Sequence, residues 1–213
     1  MTASEHLVAR RKDILDAAKK VFEAAGYAST KMESVAEQAG IAKGSIYNYF
    51  KSKHDLFKTI FLEDLPDCKA QVEEVLDSTK SATDKLQLML DLWYARLHEQ
   101  KRMGRLILEF WATAARGQQE DLAEGFRKMY SHWRGRLAEL ISQGIANGEF
   151  RPHVNVQAAA ALILAVVDGI WLQTLLDVGM VVDEAFITEL KKGIMKGLTS
   201  PEVVVNPITA GVA

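Results

Sequence analysis

The 213-residue chain holds one cysteine, Cys68, and only four prolines. A single thiol allows no disulfide framework within one chain and fits a reducing compartment, the cytoplasm. Cys68 itself is expected to be an inert, partly buried thiol. Glycine is sparse too, at 14 residues, and with so few prolines the composition argues against a disordered or all-β chain. Strong charge of either sign is missing, since the formal net charge is −2. The opening stretch MTASEHLVARRKD carries no apolar run, so no leader is expected. One long apolar segment exists, residues 156–182, but Asp168 and Asp177 interrupt it. Its uncharged part falls short of the roughly 20 apolar residues a membrane span needs. A buried helix and no membrane partner is the better reading. Catalytic signatures are missing as well: there is no HExxH, paired metal-ligand spacing, P-loop or GxSxG. The five histidines (6, 54, 98, 132 and 153) form no i, i+4 pair. Neither an enzyme, a bound metal nor a cofactor is expected.

What is present is an ordinary globular balance of 48% hydrophobic and 25% charged residues, enough for a real core. Charge is unevenly placed. Residues 1–60 hold ten Lys and Arg against seven Asp and Glu, so a mildly basic head precedes an acidic body.

Almost the whole chain reads as helix. Ile14, Ala18, Phe22 and Ala25 share one face of a helix over 4–25, which Gly26 stops. Thr30-Lys31-Met32-Glu33 has the S/T-x-x-E form of a capping box, which predicts a reciprocal Thr30 and Glu33 cap on the next helix. That helix presents Met32, Val35, Ala36 and Ala39 on one side. Gly40 ends it, and Ile41 is placed to pack back over the turn. A short helix over 43–49 follows, with Ile46 and Phe50 inward. Ser52-Lys53-His54-Asp55 is a second box-like start, opening a helix with a kink or break at Pro66. Further helices are predicted at 69–79, 83–100, 103–116, 119–147, 155–178 and 183–198, and residues 200–213 as a flexible tail. The fold class is therefore all-α, divided as a head over 1–52, a helical body over 53–199 and that tail.

Two short helices joined through a glycine turn make a helix-turn-helix. The second uses only Ile46 and Phe50 for packing. Lys43, Gly44, Ser45, Tyr47, Asn48 and Tyr49 stay available, which is the division a helix needs to enter a DNA major groove. Asn48 can pair bidentately with adenine, Ser45 can meet any base, and Tyr47 can pack on a thymine methyl. Gly44 permits close backbone approach to a phosphate. Thr30 with its neighbour Lys31, and Lys43, Tyr49 and Lys53, would contact the DNA backbone, which positions without reading sequence.

The stretch TKMESVAEQAGIAKGSIYNYFKSKHDLF, 30–57, closely resembles the DNA-binding domain of the TetR family of transcriptional regulators. The preceding ILDAAKKVFEAAGYAST is similar to that family's first helix and its junction. The resemblance covers about residues 8–62. It implies a recognition helix at 43–49, with Thr30 and Lys53 at phosphate-contacting helix starts. Ala42 departs from the pattern, standing where a Ser or Thr often caps the recognition helix. Over the body, the match is one of layout.

The resemblance further implies a homodimer on a palindromic double-stranded DNA operator, with repression as the default and activation as the alternative. The helices at 155–178 and 183–198 are the candidate dimer surface, because the run AAAALILAVV is too wide for one monomer face to cover. Burial of the first of these within the monomer is the competing reading. Large aromatics concentrate on four body helices: Trp93, Tyr94, Phe110, Trp111, Tyr130, Trp133 and Trp171. With Met89 and Met103 nearby in sequence, they suggest a cavity for an apolar or amphipathic small-molecule effector. Glu109 and Asp168 could add a carboxylate, which would favour a cationic ligand. Core filling is the plainer reading of the same rings, and control by a protein partner is the alternative to a small molecule. Coupling between head and body is expected through the helix that begins at Ser52.

Overall fold

The computed structural model describes residues 3–64, 66–99, 104–117 and 120–200. Among them every regular element is helical. The helices are α1 (Ala3–Ser29), α2 (Met32–Gln38), α3 (Lys53–Asp64), α4 (Pro66–Asp77), α5 (Ala82–Glu99), α6 (Gly104–Ala115), α7 (Glu120–Ala146), α8 (Val156–Leu175) and α9 (Glu184–Thr199). One 3₁₀ turn, Ser45–Asn48, lies between α2 and α3. The Cys68 side chain, Met103 and the predicted tail beyond Ser200 lie outside the described residues.

Local chemistry accounts for the punctuation. Gly26 stands at φ 76° and ψ 161° and breaks α1 before its last short turn. Gly40 (φ 66°) closes α2: the Ile41 N–H reaches the Ala36 carbonyl at 2.9 Å, and the Gly40 N–H reaches Glu37 at 3.0 Å. That double bond is a Schellman closure, and it needs a left-handed residue where glycine sits. Ile41 folds back onto the core as expected. The interruption expected at Pro66 is a full break: α3 ends at Asp64, and α4 begins at Pro66. Proline is tolerated there because a first-turn N–H has no helical partner to lose.

The two box-like starts part ways. Ser52 Oγ accepts the Asp55 N–H at 3.0 Å, and the Asp55 carboxylate accepts the Lys51 N–H at 2.8 Å, so α3 is capped. The predicted Thr30 box is not formed. Thr30 is buried, its hydroxyl donates to the Gly26 carbonyl at 2.7 Å, and α2 starts after Lys31 without a side-chain cap.

Head and body share a core. Ile14, Phe22, Val35, Ile46 and Phe50 from the head pack with Leu56, Phe57 and Phe61 of α3, Leu106 and Phe110 of α6, and Leu122 and Phe126 of α7. Ring centroids lie 4.0 Å apart for Phe57 and Phe110 and 4.4 Å apart for Phe61 and Phe126. Both sides of a division at residue 52 contribute to it. A second cluster joins α4, α5, α7, α8 and α9. Arg136 on α7 ties α4 in place, with Nε 2.8 Å from Glu73 and a second nitrogen 2.6 Å from Asp77.

Helix α8 is long and apolar enough to cross a membrane by length and composition, yet little of it is buried. Ala160, Ile163 and Leu164 face inward, while Leu162 is 65% exposed and Val166 39%. This corrects the expectation of a buried helix.

Candidate DNA-binding and effector sites

The recognition segment is shorter and tighter than predicted. A single 3₁₀ turn spans Ser45–Asn48 rather than a helix over 43–49. It opens with the Ser45 N–H on the Ala42 carbonyl at 2.9 Å, without a side-chain cap. Ile46 and Phe50 are buried, as their spacing requires. Lys43, Gly44, Tyr47 and Asn48 are exposed, and Ser45 and Tyr49 half-buried. Tyr47 shows 47% of its surface, which is unusual for so large a ring.

The cations around this turn are engaged. Lys43 pairs with Glu33 at 2.5 Å. The bond holds the Glu33 carboxyl below its ordinary range and pushes the Lys43 ammonium up. Lys53 donates to the Tyr27 and Ala28 carbonyls at 2.7 and 3.1 Å and sits 4.5 Å from the centre of the Tyr27 ring. Lys31 is exposed beside the start of α2. Thr30 turns inward, so its hydroxyl proton is already committed.

In the body, all four tryptophans of the chain line one cavity of about 190 Å³. Trp93 comes from α5, Trp111 from α6, Trp133 from α7 and Trp171 from α8. Trp111 and Trp171 meet at 5.3 Å between ring centres. Tyr130 and Asp168 line the same space, and the Tyr130 hydroxyl donates to Asp168 Oδ2 at 2.8 Å. Burial pushes the Asp168 carboxyl up, against the pull of the Tyr130 bond. Burial, reinforced by the Asp168 charge, also pushes the Tyr130 phenol up. With Arg96, the pair presents the polar part of a mostly apolar wall.

Six of the ten residues named from sequence therefore meet at this cavity. Three of the others do not. Met89 is fully buried in the second cluster. Phe110 is spent in the core shared with the head. Glu109 points to the head, where its Oε2 accepts the Tyr27 N–H at 2.5 Å. Phe61, Arg96, Leu97, Ile107, Phe126, Met129, Leu164 and Val167 complete the wall and were missed. Ile107 was findable, since it lies one helical turn before Trp111 and shares its face.

A separate groove of about 280 Å³ runs between α8 and α9 on the outside. Ala158, Leu162, Val166, Gly193 and Gly197 line it. Small residues there leave room for close approach by another helix.

Comparison with known proteins gives the family. Residues 14–60 match the model of bacterial regulatory proteins of the tetR family, and residues 82–196 match that of the BetI-type transcriptional repressor C-terminal region. The chain is 27% identical over 158 residues to the fatty acid metabolism regulator protein of Bacillus subtilis (strain 168), covering 73% of this chain and 78% of that protein. It is 30% identical over 173 residues to the uncharacterized HTH-type transcriptional regulator YfiR of the same organism, covering 78% and 80%. Among solved structures, Salmonella enterica GusR superposes with a TM-score of 0.71 at 26% identity, covering 89% of this chain and 95% of that one. The regulator FadR of Bacillus subtilis in complex with stearoyl-CoA has the same fold, with a TM-score of 0.71 at 24% identity over 89% and 97% of the two chains. With an outward-facing helix-turn-helix over a shared helical core, and both halves matching family models, this chain belongs to the TetR family of bacterial transcriptional regulators.

Proposed function

We propose that the protein is a homodimeric repressor that binds a palindromic operator and is released by a small amphipathic effector held in the tryptophan-lined cavity. The convergence of all four tryptophans from four helices on one space carries the effector reading. Core filling alone gives no reason to leave that space open beside a half-buried carboxylate. The apolar part of a ligand would lie on the indole faces, and its polar end near Asp168, Tyr130 and Arg96. A neighbour of the same fold holding stearoyl-CoA, an amphipathic molecule, supports this.

The exposed apolar side of α8, next to the groove with α9, supports the dimer, because a second copy would cover it. Two heads then address two half-sites about one helical turn apart, or a multiple of it. Ser45, Tyr47 and Asn48 would read bases. Lys31, Lys43, Gly44 and Tyr49 would hold phosphates, with Lys43 exchanging Glu33 for a phosphate oxygen. Thr30 and Lys53 would join them only by leaving their present partners. Release is a population shift: a ligand preferring one spacing of the heads depletes the DNA-competent state. Such a protein would work in the cytoplasm, where its DNA lies.

The test is a binding assay on duplex DNA flanking the protein's own gene, searched first for a palindrome. Acyl-CoAs, alkyltrimethylammonium salts and neutral amphiphiles are then titrated while tryptophan emission and operator binding are followed. Emission changes that track loss of the DNA complex support the reading. Tight operator binding that none of these compounds disturbs would favour control by a protein partner instead.

A further inference from the structure

Helix α6 stands between cavity and head, and three consecutive residues divide its work. Trp111 faces the cavity, with Ile107 one turn earlier on the same side. Phe110 packs into the shared core. Glu109 faces the head. On a helix of 3.6 residues per turn, positions 109 and 111 stand about 160° apart and positions 107 and 111 about 40° apart. A body that displaces the Trp111 side of α6 must therefore move Glu109 against the opposite neighbour.

That neighbour is the broken end of α1. Gly26 leaves the helical region, which turns the Tyr27 N–H outward to Glu109 Oε2 at 2.5 Å. The other carboxylate oxygen lies 2.8 Å from where a Cβ on residue 26 would stand. Only a glycine lets the carboxylate sit there, since any side chain would meet it and the backbone angle is itself unfavourable to one. The same turn is held on its other side by Lys53, through the Tyr27 and Ala28 carbonyls. Thr30 closes it onto Gly26 and leads directly into α2. Residues 26–30 are thus gripped between a carboxylate from the body and an ammonium from the base of α3.

Building on the effector reading above, we infer that Glu109 is a positioning residue: its bond to the Tyr27 N–H is the link by which filling of the tryptophan-lined cavity moves the helix-turn-helix. The link is not covalent and acts on α1, so it is distinct from the expected route along the helix beginning at Ser52. A carboxylate bound to a backbone N–H at a helix break can be lost or kept as a unit. Coupling through it requires a second, released position beside the bonded one.

The test reads the Tyr27 amide in the full-length protein by hydrogen exchange. The cavity is filled from within by Ile107→Trp, and independently from α8 by Leu164→Trp in case the first variant does not fold. In either folded variant the Tyr27 amide should exchange at least about tenfold faster, while the Val35 amide in α2 holds its rate. Glu109→Ala should speed the Tyr27 amide alone, after which filling the cavity adds no further acceleration. Glu109→Gln, which keeps an acceptor oxygen, should restore most of the protection and of the response. An unchanged Tyr27 rate in both folded cavity variants would overturn the inference. So would an equal response with and without Glu109. Neither result depends on finding an effector, so the failure of the effector reading would show separately, as silence in the titrations above.

Discussion

Large aromatics are used in opposite ways at the two ends of this molecule. In the head, Tyr47 stands 47% exposed on a single 3₁₀ turn, with Tyr49 half-buried just after it, over a seam of just Ile46 and Phe50. In the body, four tryptophans from four helices face one another around a space. An outward ring adds contact area to a partner that is presented, as DNA is. An inward ring shapes a partner that must be enclosed. The difference follows from how many elements each region can bring to bear. The head has too few helices to surround anything, so its specificity lies on a surface. The body has enough to build walls.

The sharpest way to break that contrast is to cut the core both regions share. Phe57 and Phe110 touch ring to ring at 4.0 Å, and both are buried. Phe57→Ala or Phe110→Ala should cost about 3–5 kcal/mol. Urea unfolding followed by tryptophan emission, which reports the body, and by helicity should shift together. Separate transitions would mean that the two regions are independent.

The next largest effect concerns the head's surface. Asn48→Ala should lower discrimination between operator and mismatched duplex by about 1–3 kcal/mol for each base it no longer reads. Lys43→Ala should weaken all duplexes alike and reduce the salt dependence of binding by about one phosphate's worth. Operator and scrambled duplexes titrated across salt concentrations would measure both. Equal losses on every sequence for the two variants would remove the division between reading and holding.

On the body's side, Tyr130→Phe leaves the half-buried Asp168 without its donor. It should cost about 1 kcal/mol in thermal or urea unfolding. Tyr130→Phe with Asp168→Asn should recover part of that loss, because the half-buried charge goes with it. No recovery in the double variant would mean that the pair's contribution lies in packing.

How far these regions can be read from sequence differs for a physical reason. In the head, short elements are set by neighbours in the chain. Gly40, Ile41, Ile46, Phe50 and the Ser52 cap all behave as their spacing requires. Thr30 fails where Ser52 succeeds with the same pattern. Four residues before Thr30 lies the Gly26 carbonyl, which takes the Thr30 N–H at 3.2 Å, and the hydroxyl joins that bond in preference to the cap. In the body, the helices are readable but their rotation is less so. Closeness in sequence groups Glu109 with Trp111, although helical geometry sets them on opposite faces. Phe110 and Met89 are unreadable for another cause: an apolar residue at helical spacing packs equally well into a core or a cavity wall. Only the neighbour across the fold decides between them.

A smaller test bears on the one odd residue of the head. Ala42 precedes the recognition turn, whose N-cap is Gly44, and offers it a carbonyl for the Ser45 N–H but no side-chain acceptor. Ala42→Ser should stabilise the protein by about 1 kcal/mol, the usual worth of an N-cap hydroxyl. The measure is melting temperature, and an unchanged or lowered value would refute it.

The smallest effect contrasts two aspartates, one where α7 meets α3 and one in the cavity wall, whose pH dependence runs in opposite directions. Asp121, at the start of α7, takes Lys58 at 2.9 Å and His54 at 3.1 Å from α3. The Lys58 bond, with help from His54, lowers its carboxyl to about 2 from an ordinary 3.8. Its contribution is therefore fully present above the unfolded value and is lost as pH falls from near 4 towards 2. Its side chain is 43% exposed, so solvent screening keeps the effect below about 1 kcal/mol. Asp168 is shifted the other way, raised by burial. It favours the folded state while protonated, and that advantage is lost as pH rises through its raised value. Asp121→Asn should flatten the acid limb of a stability profile, and Asp168→Asn should raise the profile on the less acidic side. If both substitutions moved the same limb, the contrast between an exposed, paired carboxylate and an enclosed one would fail.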